Sequence, residues 1–166
     1  MTFGEIPAGS SVFVDANIFV YDFAPDQVLG PNCRTLLKQF ENGSLKGFLS
    51  APVLNDIAHR LMTLEACQSF GWPFAGIANR LRTHRDEIAK LTKSRQALDD
   101  ILRMGIQVLP VSVQEVISAG DLSRQYGLLS GDALVLAVMQ SNHLTCLASN
   151  DADFDRVPGI NRFAPM

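Results

Sequence analysis

The sequence predicts an α/β protein with a mainly parallel central sheet and helices on both of its faces. The first observation is the alternation of short apolar runs, typical of buried strands, with longer segments of helical periodicity. The second is that aspartates follow predicted strands or open predicted helices in four separate segments. Because the carboxyl ends of parallel strands meet at one edge of a sheet, we expect these carboxylates to converge on one crevice.

Five short strands are predicted from runs of apolar, β-branched and aromatic residues. They fall at 11–14, 47–49, 106–109, 145–148 and 160–163. The first run has the composition of a buried strand and ends directly before Asp15. Helical segments lie between most consecutive strands, and this alternation favours parallel pairing.

Helices are predicted from apolar spacing near the helical period and from their terminal residues. They are expected to begin at Asn17, to cover 32–42, to follow Ser50, and to cover 74–104, 113–126 and 130–142. Within 74–104, the buried face would carry Phe74, Ile77, Leu81, Ile88, Leu91, Leu98 and Ile101, with a break at 92–94.

The ends of these helices carry recognisable signals. Pro25 is expected to break the first helix, and Gly43 and Gly127 to follow the ends of two others. Ser50 and Ser130 are predicted to cap the helices that follow them. Pro in the first turn after Ser50 is tolerated, because an N–H there needs no intrahelical partner.

Size and composition favour one domain over residues 1–166. A chain of this length with 47% hydrophobic content can bury a substantial core. The three cysteines lack disulfide or zinc-site spacing, and the longest apolar run, 133–139, is too short to cross a membrane. With no signal-peptide pattern at the start, we expect a cytoplasmic protein without membrane association. The net charge of −3 neither indicates nor excludes a nucleic-acid partner.

Each aspartate has an ordinary structural interpretation beside a chemical one. Asp15 is a suitable helix cap, and Asp132 lies in a first helical turn, where the helix dipole favours negative charge. Asp151 and Asp153 fit a solvated turn. Asp56 falls beyond the first turn of its helix, so capping explains it less well.

Together, the four segments favour a metal-dependent phosphodiesterase. A group of carboxylates without compensating cations is stabilised when a cation binds, and Mg²⁺ prefers such oxygen ligands. The metal would polarise a phosphate and lower the pKa of a bound water. His59 and Arg60 follow Asp56 closely and are interpreted as solvated helix residues, with substrate contact as the alternative.

The segments VFVDANIFVY, SAPVLNDIAHRL, GDALVLAV and ASNDADFDRVPGI together resemble the motifs of PIN-domain ribonucleases. The resemblance extends over 11–160 and is closest to the VapC-like toxins of toxin–antitoxin pairs. It implies a three-layer α/β/α sandwich, an acidic site for Mg²⁺ or Mn²⁺, and cleavage of RNA. It also implies a homodimer and an antitoxin protein as partner.

The resemblance also assigns roles to individual residues. The catalytic acids would be Asp15, Asp56, Asp132 and Asp151, the metal ligands Asp15, Asp132, Asp151 and Asp153, and the supporting residues Asn17 and Ser149. Asp56 departs from the Glu usual in the family, and its side chain is shorter by one carbon–carbon bond, about 1.5 Å.

Two alternative interpretations remain open at this stage. Asp56 in place of Glu is compatible with a catalytically weak or inactive PIN-like module that binds RNA or protein. A phosphotransfer protein is disfavoured, because a phosphoacceptor domain usually has a Lys on a later strand and none follows Lys93. Seven of the fourteen Lys and Arg residues lie within 80–103, where they would either anchor RNA or form a solvated helical face.

Overall fold

A five-stranded parallel sheet forms the centre of the protein. The computed structural model describes residues 1–24 and 26–166. The strands are Ser11–Val14 (β1), Lys46–Ser50 (β2), Gln107–Leu109 (β3), Cys146–Ala148 (β4) and Asn161–Phe163 (β5). Their order is β3-β2-β1-β4-β5, and each neighbouring pair is parallel. The predicted α/β class with a mainly parallel sheet is confirmed.

Helices pack in two groups beside this sheet. They are Ala16–Phe23 (α1), Gly30–Glu41 (α2), Ala51–Phe70 (α3), Ile77–Thr83 (α4), Arg85–Ile88 (α5), Lys93–Arg103 (α6), Val113–Tyr126 (α7) and Ser130–Ser141 (α8). Helix α1 contacts α2 and α3, and α3 contacts α6, whereas α7 packs against α8. Helices α1–α6 lie in connections that run in one direction across the sheet, from β1 to β3, whereas α7 and α8 lie in the connection that returns from β3 to β4. Because crossovers between parallel strands are right-handed, the two groups lie on opposite faces of the sheet. In the part of the chain that is described, no helix is both long and apolar enough to cross a membrane.

The direction of winding reverses at the central strand. From β1 the chain proceeds through β2 to β3 on one side, and it then returns to place β4 and β5 on the other. The carboxyl ends of β1 and β4 are therefore a topological switch point, the usual place of a binding crevice in open α/β sheets. Asp15 directly follows β1 and Ser149 directly follows β4.

The central strand β1 is deeply buried in the core. Val12, Phe13 and Val14 of β1 are 0% exposed, as expected for a strand covered by helices on both faces. Gly47 in β2 shows how close this packing is. A Cβ added there would lie 2.8 Å from Ile106 Cγ1 and 3.0 Å from the ring of Phe40, so a larger residue would push these side chains apart.

The segment 74–104, predicted to be helical with a break at 92–94, is helical over most of its length but has more interruptions than predicted. The segment forms three shorter helices, α4, α5 and α6, and Phe74 lies before the first of them with 66% of its surface exposed. The predicted break at 92–94 is confirmed, because α6 begins at Lys93. A tertiary contact explains this start. The carboxylate of Glu65, on α3, accepts hydrogen bonds from the backbone N–H groups of Thr92 (3.1 Å) and Lys93 (2.9 Å).

The predicted serine caps are also corrected by the structure. Ser50 occupies the N-cap position of α3, but its side chain makes no capping hydrogen bond. Pro52 is the second residue of α3, and it lacks an N–H group that a capping hydroxyl could use. Ser130 is the first residue of α8, and Leu129 is at the N-cap position. The predicted helix break at Pro25 lies outside the described residues.

Candidate active site

An open cleft of about 620 Å³ lies at the carboxyl edge of the sheet, over the switch point. Its polar lining residues are Asp15, Asn17, Tyr21, Ser50, Asp56, Arg60, Asp132, Asn150 and Asp151. All four predicted catalytic acids therefore reach one cleft from four separate segments. Asp153, predicted as a further metal ligand, does not line it.

Asp15 is held at the centre of the cleft by three hydrogen bonds. It caps α1 by accepting from the backbone N–H of Ala16 at Oδ1 (2.6 Å). Its Oδ2 accepts from Asn17 Nδ2 (2.6 Å) and from Ser149 Oγ (2.6 Å). Burial nevertheless raises the pKa of Asp15 above its usual value, against the lowering effect of the bonds from Ser149 and Ala16. The capping and chemical interpretations of Asp15 are thus compatible.

Ser149 and Asn17 form the network that fixes Asp15. Ser149 is 0% exposed, and its hydroxyl also accepts hydrogen bonds from Asn17 Nδ2 (3.2 Å) and from the backbone N–H of Asp151 (3.0 Å). Asn17 Oδ1 accepts from the backbone N–H of Asn150 (3.2 Å). These contacts give both residues a geometric basis for the supporting role predicted for them.

The environment of Asp132 also disfavours its charged form. It lies in the first turn of α8 and is half-buried in the wall of the cleft. Burial raises the pKa of Asp132 to about 6, and the negative charges of Asp151 and Asp15 contribute in the same direction. Arg60 opposes this shift. Asp132 is therefore close enough to Asp151 and Asp15 to sense their charges.

Asp151 and Asp153 have different surroundings although they are two residues apart. Asp151 caps the short 3₁₀ helix Ala152–Arg156, and its Oδ1 accepts from the backbone N–H of Asp153 (2.9 Å). The carboxylate of Asp153 is paired with Arg156. Asp153 still raises the pKa of Asp132 through its charge. Its influence on the cleft is therefore electrostatic in this structure.

Asp56 forms an ion pair with a residue of its own helix. Its Oδ2 lies 2.8 Å from Nε of Arg60, and the two side chains are 43% and 52% exposed. Both residues line the cleft. Arg60 is exposed, as the interpretation as a solvated helix residue predicts. It also places a positive charge among the acids of the cleft, which that interpretation does not include.

Arg162 on β5 supports the cleft from behind. Its Nε and Nη2 each lie 2.7 Å from the carboxylate of Asp155, and its Nη1 donates to the backbone carbonyl of Ser149 (3.1 Å). The side chain of Arg162 is only 14% exposed. This residue was missed from the sequence, because nothing local to a short edge strand indicates which distant carbonyl an Arg will reach.

Three further cleft residues were not singled out for the site. Tyr21 and Asn150 meet across the cleft, where Asn150 Nδ2 donates to the Tyr21 hydroxyl (3.1 Å). Ser50 is 1% exposed and lines the same cleft. Tyr21 lies one turn after Asn17 on α1, and this helical spacing could have placed the two side chains on the same side.

The donor atoms of the cleft suit a hard cation. In the described ranges, no group of three or more His, Cys, Asp or Glu side chains is arranged to hold a metal ion by itself. The available donors are carboxylate, hydroxyl and amide oxygens, the types that Mg²⁺ and Mn²⁺ accept together with water. The residues therefore fit a cation that retains part of its hydration shell.

The basic residues of 80–103 are largely engaged in local contacts away from the cleft. The pairs are Lys90 with Glu87 (2.8 Å), Arg95 with Asp99 (2.9 Å) and Arg103 with Asp100 (3.0 Å). Arg80 lies over the ring of Trp72, 5.6 Å from its centroid. Exposed pairs of this kind contribute little to stability. The arrangement favours the solvated-face interpretation over an RNA anchor.

The PIN domain family matches residues 12–160, and the chain belongs to that family. It is also similar to two curated relatives, a VapC ribonuclease of Mycobacterium bovis and ribonuclease VapC13 of Mycobacterium tuberculosis. Each is 29% identical over 154 residues, which cover 92% of this chain and 99% of the relative. The resemblance to PIN-domain proteins of the VapC type is thereby confirmed.

Solved structures show the same fold at lower identity. The VapBC2 structure from Rickettsia felis, bound to a promoter DNA fragment, matches with a TM-score of 0.55 and 17% identity over 94% of this chain and 99% of that chain. The sarcin–ricin-loop-cleaving toxin VapC20 of Mycobacterium tuberculosis matches with a TM-score of 0.58 and 18% identity, over 87% of this chain and 92% of that chain. These likenesses confirm the PIN-like α/β architecture.

Proposed function

We propose that this protein is a metal-dependent endoribonuclease and the toxin component of a toxin–antitoxin pair. The observation that carries the proposal is the meeting of Asp15, Asp132 and Asp151 in one open cleft, with the pKa of Asp132 raised to about 6 by burial and by the other two charges. Perturbed carboxylates in a cleft at a switch point are typical of a catalytic site. Family membership and the ribonuclease relatives supply the reaction class.

The acidic residues have distinct roles in this proposal. Asp15, Asp132 and Asp151 would hold Mg²⁺ or Mn²⁺, with Asp153 adding negative charge from beside the cleft. When bound, the cation would polarise the scissile phosphate and lower the pKa of a water molecule. Ser149 and Asn17 keep Asp15 oriented, because both donate to its Oδ2.

Arg60 is the group best placed to attract RNA to an acidic cleft. It is a cationic residue of the lining, about half exposed, and anchored to α3 by Asp56. A guanidinium can contact phosphate oxygens in a planar, two-pronged geometry. Asp56 would hold Arg60 and, with a side chain shorter than that of Glu, would act on the cation only through a water molecule.

A second candidate function is a PIN-like binding module with little or no catalysis. The Asp56–Arg60 ion pair favours it, because the residue that takes the place of the family's usual Glu is engaged with a cation of its own helix. Calorimetric titration with Mn²⁺ distinguishes the two. A catalytic site binds the metal at the acidic cleft, and an inactive module with a disabled cleft does not.

The partners belong to the same proposal. An antitoxin is supported by the toxin–antitoxin complexes among the similar folds, including one from Klebsiella pneumoniae. A homodimer is an expectation from the family resemblance, and light scattering of the purified protein would measure it. Cytoplasmic location and a single domain over 1–166 are likewise proposed.

The experiment that tests the function is cleavage of labelled total RNA by the purified protein. Reactions contain Mg²⁺, Mn²⁺ or a chelator, and the Asp132→Asn protein is the matched control. We expect metal-dependent fragments from the wild type and at least about 100-fold fewer from the variant. Equal cleavage by Asp132→Asn would contradict the proposal, and folded protein that cuts no RNA with either metal would favour the binding module.

A further inference from the structure

The hydroxyl of Ser50 stands out among the buried polar side-chain atoms. Among the described residues, it is the atom of this kind that has no hydrogen-bond partner. Ser50 is 1% exposed and lines the acidic cleft. A buried polar group without a partner destabilises a folded protein, so such a group in a native structure needs an explanation.

Local structure does not use this hydroxyl. Ser50 has the extended backbone of an N-cap residue (φ −103°, ψ 158°), yet it makes no side-chain cap bond to α3. Pro52 removes one of the two N–H groups to which a capping oxygen usually bonds. The position retains a hydroxyl although the usual reason for one is absent.

The register of the sheet places Ser50 beside Asp15. In the pairing of β1 with β2, Phe13 lies opposite Phe48, so two residues further along Asp15 corresponds to Ser50. Neighbouring strands are about 4.8 Å apart. Both residues line the cleft, and the oxygens of Asp15 already accept three hydrogen bonds from other groups.

We propose that the Ser50 hydroxyl hydrogen-bonds to a water molecule of the divalent cation that binds in the cleft. Because the described carboxylates do not enclose an ion by themselves, the cation retains water that the walls of the cleft must hold. Mg²⁺ loses its water reluctantly and is commonly bound through one or two carboxylates. The inference rests on the proposed function only in requiring that a cation binds; it does not require RNA cleavage.

The test compares Ser50→Ala with the wild type in calorimetric titrations with Mn²⁺. We expect the variant to bind Mn²⁺ about 10-fold more weakly, the size of effect seen when a group that orients a metal's ligands is removed. The metal-free variant should melt at the same temperature as the wild type or higher, because the mutation removes an unpaired buried hydroxyl. A purely structural role would instead lower the melting temperature.

Ser141→Ala is the matched control. Ser141 is the last residue of α8, whereas Asp132 lies in the first turn, and Ser141 does not line the cleft. Its hydroxyl already bonds to Glu115 and to the carbonyl of Val138 (3.1 Å). We expect it to leave Mn²⁺ affinity unchanged and to lower the melting temperature slightly.

Two results would overturn the inference. The first is equal Mn²⁺ affinity in Ser50→Ala and wild type; if the variant then also binds RNA more weakly in chelator, the hydroxyl is assigned to a phosphate oxygen. The second is absence of Mn²⁺ binding by the wild type. If the wild type binds Mn²⁺ but leaves RNA uncut, the proposed function fails, and the Ser50 inference is decided by the titration alone.

Discussion

Ser149 donates a 2.6 Å hydrogen bond to Oδ2 of Asp15, and this bond joins the ends of β4 and β1 across the switch point. The same hydroxyl accepts from the backbone N–H of Asp151. One buried side chain therefore fixes the relative position of two of the three acids that meet in the cleft. Arg162 in turn holds the carbonyl of Ser149 from behind.

Replacing Ser149 by Ala should weaken both the fold and the site. We expect a loss of about 1–3 kcal/mol in the free energy of unfolding, because buried partners are left unpaired. The pKa of Asp15 should rise further, because the bond from Ser149 lowers it in the wild type. Urea denaturation and carboxyl NMR titration measure the two effects. An unchanged Asp15 titration in Ser149→Ala would contradict the assigned role of this bond.

The Asp132→Asn substitution should stabilise the metal-free protein at neutral pH. The pKa of Asp132 is raised to about 6 from 3.8, so its contribution to stability is complete below pH 3.8 and is lost as the pH rises through 6. Asn removes the charge that causes this loss. After allowance for solvent screening, we expect a gain of about 1 kcal/mol at pH 7.5.

The pH dependence of that gain is the measurement that matters. The difference in unfolding free energy between Asp132→Asn and wild type should shrink between pH 7 and pH 4 in chelator. Other titrating groups contribute to both proteins and largely cancel in the difference. A gain that is the same at both ends of this range would show that ionisation of Asp132 is not its cause.

Metal binding should depend on pH in the same interval. A cation binds the ionised carboxylate, so a proton on Asp132, with its pKa of about 6, competes with it. We expect Mn²⁺ affinity to fall as the pH is lowered through 6 and proton release to accompany binding. Calorimetry in two buffers of different ionisation enthalpy measures the released protons. An affinity independent of pH between 5 and 7.5 would contradict this expectation.

The sheet and its order of elements were largely predictable from sequence. Each strand lies within about a residue of its predicted bounds, because runs such as 11–14 are buried on both faces and read as continuous apolar stretches. The position of the aspartates at the carboxyl edge of the sheet was predictable for the same reason, because a residue that directly follows a parallel strand lies at that edge.

The contacts between distant segments could not be predicted in this way. Periodicity over 74–104 indicated a helical segment with a break at 92–94, but it could not show that Glu65 binds the backbone at 92 and 93, where α6 begins. Ser50 was interpreted as a cap, but Pro52 in the first turn lacks one of the N–H groups that a capping hydroxyl uses, and the side chain makes no capping bond. The pairing of Asp56 with Arg60 is compatible with their spacing, but the sequence does not show which of several partners each chooses.

Arg60 should contribute to RNA affinity through its charge. With Arg60→Gln, we expect weaker binding to single-stranded RNA and a slope of log K against log salt that is smaller by about 0.7. Fluorescence anisotropy in chelator, at several salt concentrations, separates binding from cleavage. Because the variant leaves Asp56 unpaired, the matched control is the double variant Asp56→Asn/Arg60→Gln. An unchanged salt slope in both proteins would exclude a phosphate contact by Arg60.

The Asp56 position offers a test in which activity is expected to increase. Asp56→Glu lengthens the side chain by about 1.5 Å and keeps its charge, so the carboxylate can reach further into the cleft while Arg60 remains one turn away. We expect RNA cleavage and Mn²⁺ affinity to rise severalfold. Asp56→Asn should lower cleavage by about 10-fold, as for a group acting outside the metal's own ligands.

The two Asp56 variants together distinguish a carboxylate that only holds Arg60 from one that binds the cation directly. If Asp56 acts only by holding Arg60, Asp56→Glu retains wild-type cleavage, because an i,i+4 pair accommodates either acid. If Asp56→Asn abolishes cleavage as completely as Asp132→Asn does, Asp56 is a direct ligand and its pairing with Arg60 is broken when the cation binds. Crystals of the Mn²⁺-bound wild type would then show the Asp56 carboxylate turned away from Arg60 and toward Asp15.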